Sequence, residues 1–286
     1  MTSRVLLVGA SGPLGRAVAG ELTARGQEVT RTSRSDAAAD GSARLDATDT
    51  PQVRQVLDRV RPSAVVYLAR PGLDGAGDVA ARVDCDVDSL RAFAAECARY
   101  GVQRVIFASS AAVYGTSSPS PRSETDAVVG DSPYAALKLR SEAVLAEAAV
   151  PGGFSAISLR IFNVYGAGFS SSLVNRLVWG QGTPPLVHDT ADFVRDYIHA
   201  SDVARAFALG LGAPGAHSGI LNVGTGLGTT NHALLKLCPQ AVYEASGEPE
   251  LVSFSISDIS HIRSLWGFEP RVTLESAIRE PDRFFA

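Results

Sequence analysis

Arg4-Val5-Leu6-Leu7-Val8-Gly9-Ala10-Ser11-Gly12-Pro13-Leu14-Gly15 is the stretch from which the fold is read. A short apolar run passes into glycines spaced three apart, and Leu14–Arg25 continues with helical character. Glycine serves where a backbone turns tightly and where a bulky anion must approach it. The free amides at a helix start then face that anion. Taken alone, the triplet also fits a glycine-rich turn with no phosphate partner. Its position directly after the first strand, inside a strand–helix–strand unit, favours a phosphate loop.

Outward from this loop, short β-branched runs alternate with alanine-rich helical stretches. The strand candidates after Arg4–Val8 are Glu28–Thr30, Ala64–Leu68, Arg104–Ala108 and Ser155–Ile161. Helices are expected over Leu14–Arg25, Pro51–Arg59, Ser89–Tyr100 and Pro133–Ala149. Strands apolar on both faces and separated by helices specify a parallel sheet covered on both sides. The fold class is therefore α/β, a Rossmann-type doubly wound parallel sheet, with ligands at the carboxyl ends of the strands. Beyond Tyr165 the pattern loosens into a stretch rich in Gly, Ser and Pro. Helices are expected at Ser172–Trp179, Asp202–Leu211, Asn231–Leu237 and Ser257–Trp266, and a strand at Gly219–Val223. The expected division is a dinucleotide-binding domain over 1–166, with 196–224 returning to it. A smaller, discontinuous C-terminal substrate lobe takes 167–195 and 225–286.

The chain has 286 residues, a net charge of −4 and 45% hydrophobic residues, the profile of a globular protein with no general attraction to nucleic acid or anionic membrane. No stretch approaches the ~20 apolar residues of a membrane span. No leader pattern precedes the first strand, and Cys85, Cys97 and Cys238 lack paired spacing. The expectation is a soluble cytoplasmic protein with free thiols. His188, His199, His217, His232 and His261 have no metal-ligand spacing, so no metal is expected.

The end of the second strand bears on the dinucleotide. A carboxylate there suits a ribose 2′-hydroxyl, whereas a 2′-phosphate wants a cation and small donors. The chain reads Val29-Thr30-Arg31-Thr32-Ser33-Arg34, with Ser33 where the acid would stand and Arg34 next to it. A guanidinium fork binds phosphate by two prongs. NADP(H) is therefore preferred, with NAD as the alternative if Arg31 and Arg34 are only solvated loop charges.

Ser132-Pro133-Tyr134-Ala135-Ala136-Leu137-Lys138 reads as a helix start, with Ser132 a suitable N-cap and Pro133 at the first helical position. Tyr134 and Lys138 then lie one turn apart on one face. A free phenol is a poor acid–base catalyst at neutral pH. A nearby ammonium and the positive end of the helix stabilise its phenolate. The chain has only two lysines, Lys138 and Lys236, and uses arginine nearly everywhere else, so lysine at this position is informative. The bland alternative is an exposed helical Tyr–Lys pair. Ser109-Ser110 closes the Arg104–Ala108 strand at its carboxyl end, where a hydroxyl can hydrogen-bond the oxygen on which Tyr134 acts, although such a pair alone is usually a turn.

Together these residues resemble the extended short-chain dehydrogenase/reductase family, the NAD(P)-dependent nucleotide-sugar epimerases, dehydratases and reductases. The resemblance runs over almost the whole chain. It rests on Gly9-x-x-Gly12-x-x-Gly15, Leu45-Asp46, Leu68-Ala69, Ser109-Ser110-Ala111-Ala112-Val113-Tyr114-Gly115 and Tyr134-x-x-x-Lys138. It continues through Arg160-Ile161-Phe162-Asn163-Val164-Tyr165-Gly166, Arg195-Asp196-Tyr197-Ile198-His199 and Asn222-Val223-Gly224-Thr225-Gly226. It implies Ser110, Tyr134 and Lys138 as the catalytic residues. For the cofactor it implies Gly9, Ser11, Gly12, Pro13, Leu14 and Gly15 at the phosphates, with Ser33, Arg34, Asp46 and Ala47 at the adenosine end. Leu68, Ala69, Arg70 and Ile161 would lie along it, and Tyr134 and Lys138 would contact it as well. Asn163 and Arg195 would hold the diphosphate of a nucleotide sugar beside Ser110, unless Arg195 is engaged in a salt bridge to Asp196 or Asp202. The alanine-rich helices Ser89–Tyr100 and Pro133–Ala149 resemble those through which family members form homodimers, although the sequence fits equally well with the sheet covering one face of each and water the other.

Two departures sharpen the expectation. The family's dehydratases carry Asp-Glu directly after the catalytic hydroxyl, and its reductive isomerases a cysteine at the second position. Here Ala111 and Ala112 exchange no protons. Asp86 stands in place of a common active-site asparagine, at what reads as a helix start. The remaining chemistry is one hydride and one proton. That fits an NADPH-dependent 4-ketoreductase of a nucleotide-linked keto-deoxysugar, or an NAD-dependent 4-epimerase. A dinucleotide sensor without catalysis is the reading from another class. The Ser33/Arg34 pair favours the reductase.

Overall fold

The computed structural model describes residues 4–34, 42–69, 78–180, 183–188, 190–213, 217–246 and 252–285. The first half runs β1 (Arg4–Val8), α1 (Pro13–Ala24), β2 (Glu28–Ser33), β3 (Ala43–Arg44), α2 (Thr50–Val60), β4 (Ala64–Tyr67) and α3 (Val79–Arg99). Then come β5 (Arg104–Ser110), a 3₁₀ turn at Ala111–Tyr114, α4 (Pro133–Gly152) and β6 (Ser155–Ile161). The remainder is β7 (Asn163–Tyr165), α5 (Leu173–Trp179), β8 (Leu186–Val187), β9 (Phe193–His199), α6 (Ala200–Gly212) and β10 (Gly219–Val223). It ends with β11 (Gly228–Thr230), α7 (Asn231–Leu237), β12 (Glu244–Ala245), β13 (Ser253–Ser255), α8 (Ser260–Trp266), α9 (Leu274–Arg279) and α10 (Pro281–Phe284).

Seven strands form one parallel sheet in the order β10-β6-β5-β4-β1-β2-β3. Successive residues of a strand face opposite sides, and β1 uses both sides for the core. Val5 and Leu7 join Val18, Leu22 and Phe207 in a core that α1 and α6 cover. Leu6 and Val8 join Leu57, Phe93 and Leu145 beneath α2, α3 and α4. The chain is thus doubly wound, and the strand order reverses between β1 and β4, where such sheets take ligands.

β9 is the centre of a second sheet, with β11 antiparallel on one side and β13 parallel on the other; β7 also pairs with it. β7 therefore leaves the main sheet two residues after β6 ends, although it falls inside the 1–166 unit expected from sequence. Tyr165, Leu177, Leu234 and Phe285 build the apolar core beside this second sheet.

Three local expectations need correction. The third helix begins at Val79 rather than Ser89, because Asp78 caps it by accepting from the amides of Ala80 (2.8 Å) and Ala81 (3.3 Å). Asp86 consequently sits well inside that helix and not at its start. The helix expected at Ser257–Trp266 begins at Ser260, because Ser257 is buried and bonded to Asp196 while Asp258 accepts from the Ser260 amide. β5 also runs to Ser110 rather than Ala108, so the two serines expected to close the strand form its last two residues.

Candidate active site

A cavity of about 260 Å³ opens at the carboxyl ends of β1, β2, β4 and β5, at the reversal of strand order. Gly9, Ser11 and Gly12 line it from the loop after β1, Arg34 from the end of β2, Asp46, Ala47 and Thr48 from the segment after β3, and Leu68 and Ala69 from beyond β4. Lys138 and Ser141 enter from α4, and Asp86, Ser89 and Leu90 from α3. Arg70 lies outside the described residues. Pro13, Leu14, Gly15, Ser33, Ser110, Tyr134, Ile161, Asn163 and Arg195 are not on this wall.

The phosphate end is built from backbone. Gly12 is the extended N-cap of α1, and its helix start has no side-chain cap, so the first-turn amides are left for an external acceptor. Gly15 allows the helix to seat this closely. A Cβ there would fall 2.4 Å from the Gly9 carbonyl oxygen. Leu14 packs against the core, and Pro13 turns towards a separate groove shared with Arg16 and His199. These residues shape the loop from behind. Ser33 is buried and its neighbour Arg34 reaches the cavity.

At the end of the cavity where the adenosine is expected, Asp46 accepts from the amide (3.0 Å) and hydroxyl (2.7 Å) of Thr48. These bonds, helped by Arg34 and Arg44, hold its carboxyl below the usual range. Asp86 behaves oppositely: burial raises its pKa, against the pull of Arg34 and Arg82. Arg34 therefore stands in the field of two carboxylates of different character. A backbone cradle, an arginine and a hydrogen-bonded aspartate suit a dinucleotide.

At the other end Ser132 caps α4 by accepting from the Ala135 amide (3.1 Å) and Pro133 starts the helix, placing Tyr134 in its first turn. Lys138 is buried. Its Nζ donates to the Ala108 carbonyl (2.7 Å) and lies 4.6 Å from the Phe107 ring centre and 5.6 Å from that of Tyr134. Ser110 is two residues beyond Ala108. Its Oγ accepts from the Ala112 amide (3.2 Å), which leaves the hydroxyl proton available. The helix face of Tyr134 and Lys138 is thus set against the end of the strand that carries Ser110.

Asn163 and Arg195 belong to the second sheet. Asn163 donates to the Asp196 carbonyl (3.1 Å). Arg195 donates to the carbonyl (3.0 Å) and hydroxyl (2.8 Å) of Ser253, and its guanidinium lies 3.8 Å from the Phe193 ring centre. The salt bridge considered for it does not form. Asp202 pairs with Arg205 (2.5 Å), and Asp196 accepts from Thr225, Gly226 and Ser257 while burial raises its pKa. His199 caps α6 at Ser201 and meets the Phe284 carbonyl (2.9 Å), which explains its place in the Arg195–Asp202 stretch without a chemical role.

Sequence reading missed Thr48, Ser89 and Ser141. The two serines carry a usable signal, since each follows a singled-out residue (Asp86, Lys138) by three on a helix. Among the described residues no group of three or more His, Cys, Asp or Glu could hold a metal, and no helix is long and apolar enough to cross a membrane.

The model of the NAD dependent epimerase/dehydratase family matches residues 5–224. The chain is 34% identical to UDP-glucose 4-epimerase of Azospirillum brasilense over 56% of its own length, which spans about half (51%) of that enzyme. It is 27% identical to dTDP-6-deoxy-L-talose 4-dehydrogenase (NAD(P)(+)) of Kitasatospora kifunensis, over 97% of this chain and 94% of that one. Its fold superimposes on MoeE5 in complex with UDP-glucose and NAD with a TM-score of 0.84, at 27% identity and covering 98% of this chain and 99% of the other. With a match that begins in β1 and ends in the turn after β10, the chain belongs to the NAD dependent epimerase/dehydratase family, whose relatives here are NAD(P)-dependent enzymes of nucleotide sugars.

Proposed function

We propose that the protein reduces the keto group of a nucleotide-linked keto-deoxysugar with NADPH. The observation that carries this reading is Arg34, a cation on the cavity wall just past the end of β2, next to Ser33, which stands where an NAD site would place a carboxylate. Bound nicotinamide would supply the hydride. Tyr134 gives its hydroxyl proton to the carbonyl oxygen, Lys138 stabilises the phenolate left behind, and Ser110 donates a hydrogen bond to the same oxygen. Ala111 and Ala112 offer no second proton exchanger beside that site. Arg195 and Asn163 are assigned to the diphosphate, and their anchoring to Ser253 and Asp196 gives that contact a rigid base. The full name of the Kitasatospora relative, a 4-dehydrogenase of a dTDP-deoxysugar using either cofactor, supports the reading. We also assign the protein to the cytoplasm as a homodimer through α3 and α4.

The epimerase reading stands second, because the Azospirillum relative is a 4-epimerase and MoeE5 holds NAD. Titration of NADPH and NADH into purified protein, after its absorbance and mass are checked for retained nucleotide, separates the two. Reversible NADPH binding to an empty site supports the reductase. Co-purified NAD that resists exchange sinks it and places the epimerase first. In the same titration, Arg34→Ala should weaken NADPH by about 10–100-fold and NADH by less than about twofold, since a hydrogen bond to a charged group contributes roughly 1.5–3 kcal/mol. Equal loss for both cofactors would remove Arg34 from the 2′-phosphate.

A further inference from the structure

Tyr134, Lys138 and Glu142 follow one another at four-residue spacing on a single face of α4. The first two are absorbed by the proposed chemistry, and Glu142 is not. Its carboxylate is buried and accepts from Arg160 Nε (3.0 Å) and Nη2 (2.7 Å), and also from the Ser109 hydroxyl. Ser109, Arg160 and Asn222 are lateral partners across β5, β6 and β10, so they form one polar row across three strands of the sheet. The row is tied at its far end by Tyr114, whose hydroxyl donates to Asn222 (2.8 Å) and whose ring lies 4.8 Å from the Arg160 guanidinium.

A buried ion pair is weak evidence for stability, because well-packed apolar residues of similar size generally do as well. Its position is more informative. Glu142 grips β5 at Ser109, Lys138 grips the adjacent carbonyl of Ala108, and Ser110 follows immediately. We propose that Glu142 is a positioning residue: through Ser109 and Arg160 it fixes the distance between the helix carrying Tyr134 and Lys138 and the strand end carrying Ser110. This rests on the reading that those three residues act on one carbonyl. Glu142 itself touches neither cofactor nor substrate.

The test compares wild type with Ser109→Ala and with the double variant Glu142→Leu/Arg160→Met, which removes the pair without changing net charge. Folding is followed by circular dichroism, and kcat and KM are measured with NADPH and the keto-sugar nucleotide that wild type turns over. The expected result is a folded double variant with kcat lowered by about tenfold or more and the KM for NADPH within about threefold, since misplacing reacting groups by about 1 Å can cost about 10²-fold. Ser109→Ala, which leaves the ion pair, should show a smaller loss of kcat in the same direction. A folded double variant with wild-type kcat overturns the proposal. If the double variant does not fold, an unchanged kcat in Ser109→Ala overturns it. If wild type turns over no keto-sugar nucleotide, the functional reading has failed, and the clamp is read from the ultraviolet absorbance of tyrosinate. Tyr134's share, isolated by subtracting Tyr134→Phe, should titrate at higher pH in the charge-conserving variant because β5, whose Ala108 carbonyl anchors the Lys138 ammonium, is no longer held at a fixed distance from the phenol. An unshifted titration overturns the clamp on its own.

Discussion

Tyr134→Phe is expected to lower kcat by about 10³-fold, inside the range of about 10²–10⁴-fold that general acid–base catalysis contributes. The substitution removes one oxygen and keeps the ring that Lys138 faces, so the buried ammonium stays bonded to the Ala108 carbonyl. NADPH affinity should therefore change by less than about threefold, and the thermal midpoint hardly at all. The measurement is steady-state turnover beside a cofactor titration on the same preparation. Retention of more than about a tenth of wild-type kcat would mean that another group moves the proton. It would also revive the dinucleotide sensor, because a binding module loses nothing with this hydroxyl. Simultaneous loss of turnover and of cofactor binding would instead identify Tyr134 as a contact of the dinucleotide rather than an acid.

That experiment rests on residues legible in the sequence, and the reason they were legible is local. β1, β6 and β10 run between the residues expected because strands of a covered sheet read as short, mostly apolar, β-branched-rich runs bounded by glycine or polar residues. Tyr134 and Lys138 declare themselves by helical spacing after a Ser-Pro start. What remained hidden depends on partners distant in the chain. The first turns of α3 place Val83 and Val87 in the core, but three aspartates and an arginine interrupt that stretch of sequence, and the start is set by the Asp78 cap. β3, β8 and β12 are two residues each, too short for any period, and form only because β2 and each other offer an edge. For Arg195 an ion pair stood as the alternative, because Asp196 and Asp202 are near it in sequence. Its partner is Ser253, a strand away and 58 residues on. Glu142 shares the helix face of Tyr134 and Lys138, but its partners Ser109 and Arg160 emerge only when β5 and β6 are laid beside α4.

Asp196 is the most distant of these dependencies, and its replacement should have the largest effect on stability. The carboxylate is fully buried at the centre of the second sheet. It accepts from the amide (2.8 Å) and hydroxyl (2.5 Å) of Thr225, the Gly226 amide (3.0 Å), and the amide (3.2 Å) and hydroxyl of Ser257. One side chain thus joins β9 to the turn after β10 and to the segment after β13. The turn fits only because residue 224 is glycine: a Cβ there would fall 2.3 Å from Ser257 Oγ and 2.5 Å from Asp196 Oδ2. Asp196→Ala leaves several buried donors without an acceptor, each costing about 1–3 kcal/mol, with part recovered by relaxation. The expected net loss is about 3–5 kcal/mol, or roughly 10 °C in thermal midpoint for a chain of this size. Asp196→Asn should be nearly as damaging, since its NH₂ would face donors. The neighbouring Arg195 rides on the same strand, so on the proposed assignment a folded remnant of either variant should bind nucleotide sugar more weakly while the dinucleotide site proposed on the other sheet is spared. Chemical denaturation and paired ligand titrations check both statements. A thermal midpoint within about 2 °C of wild type would show that the five donors are satisfied without Asp196, and the account of this sheet would fall with it.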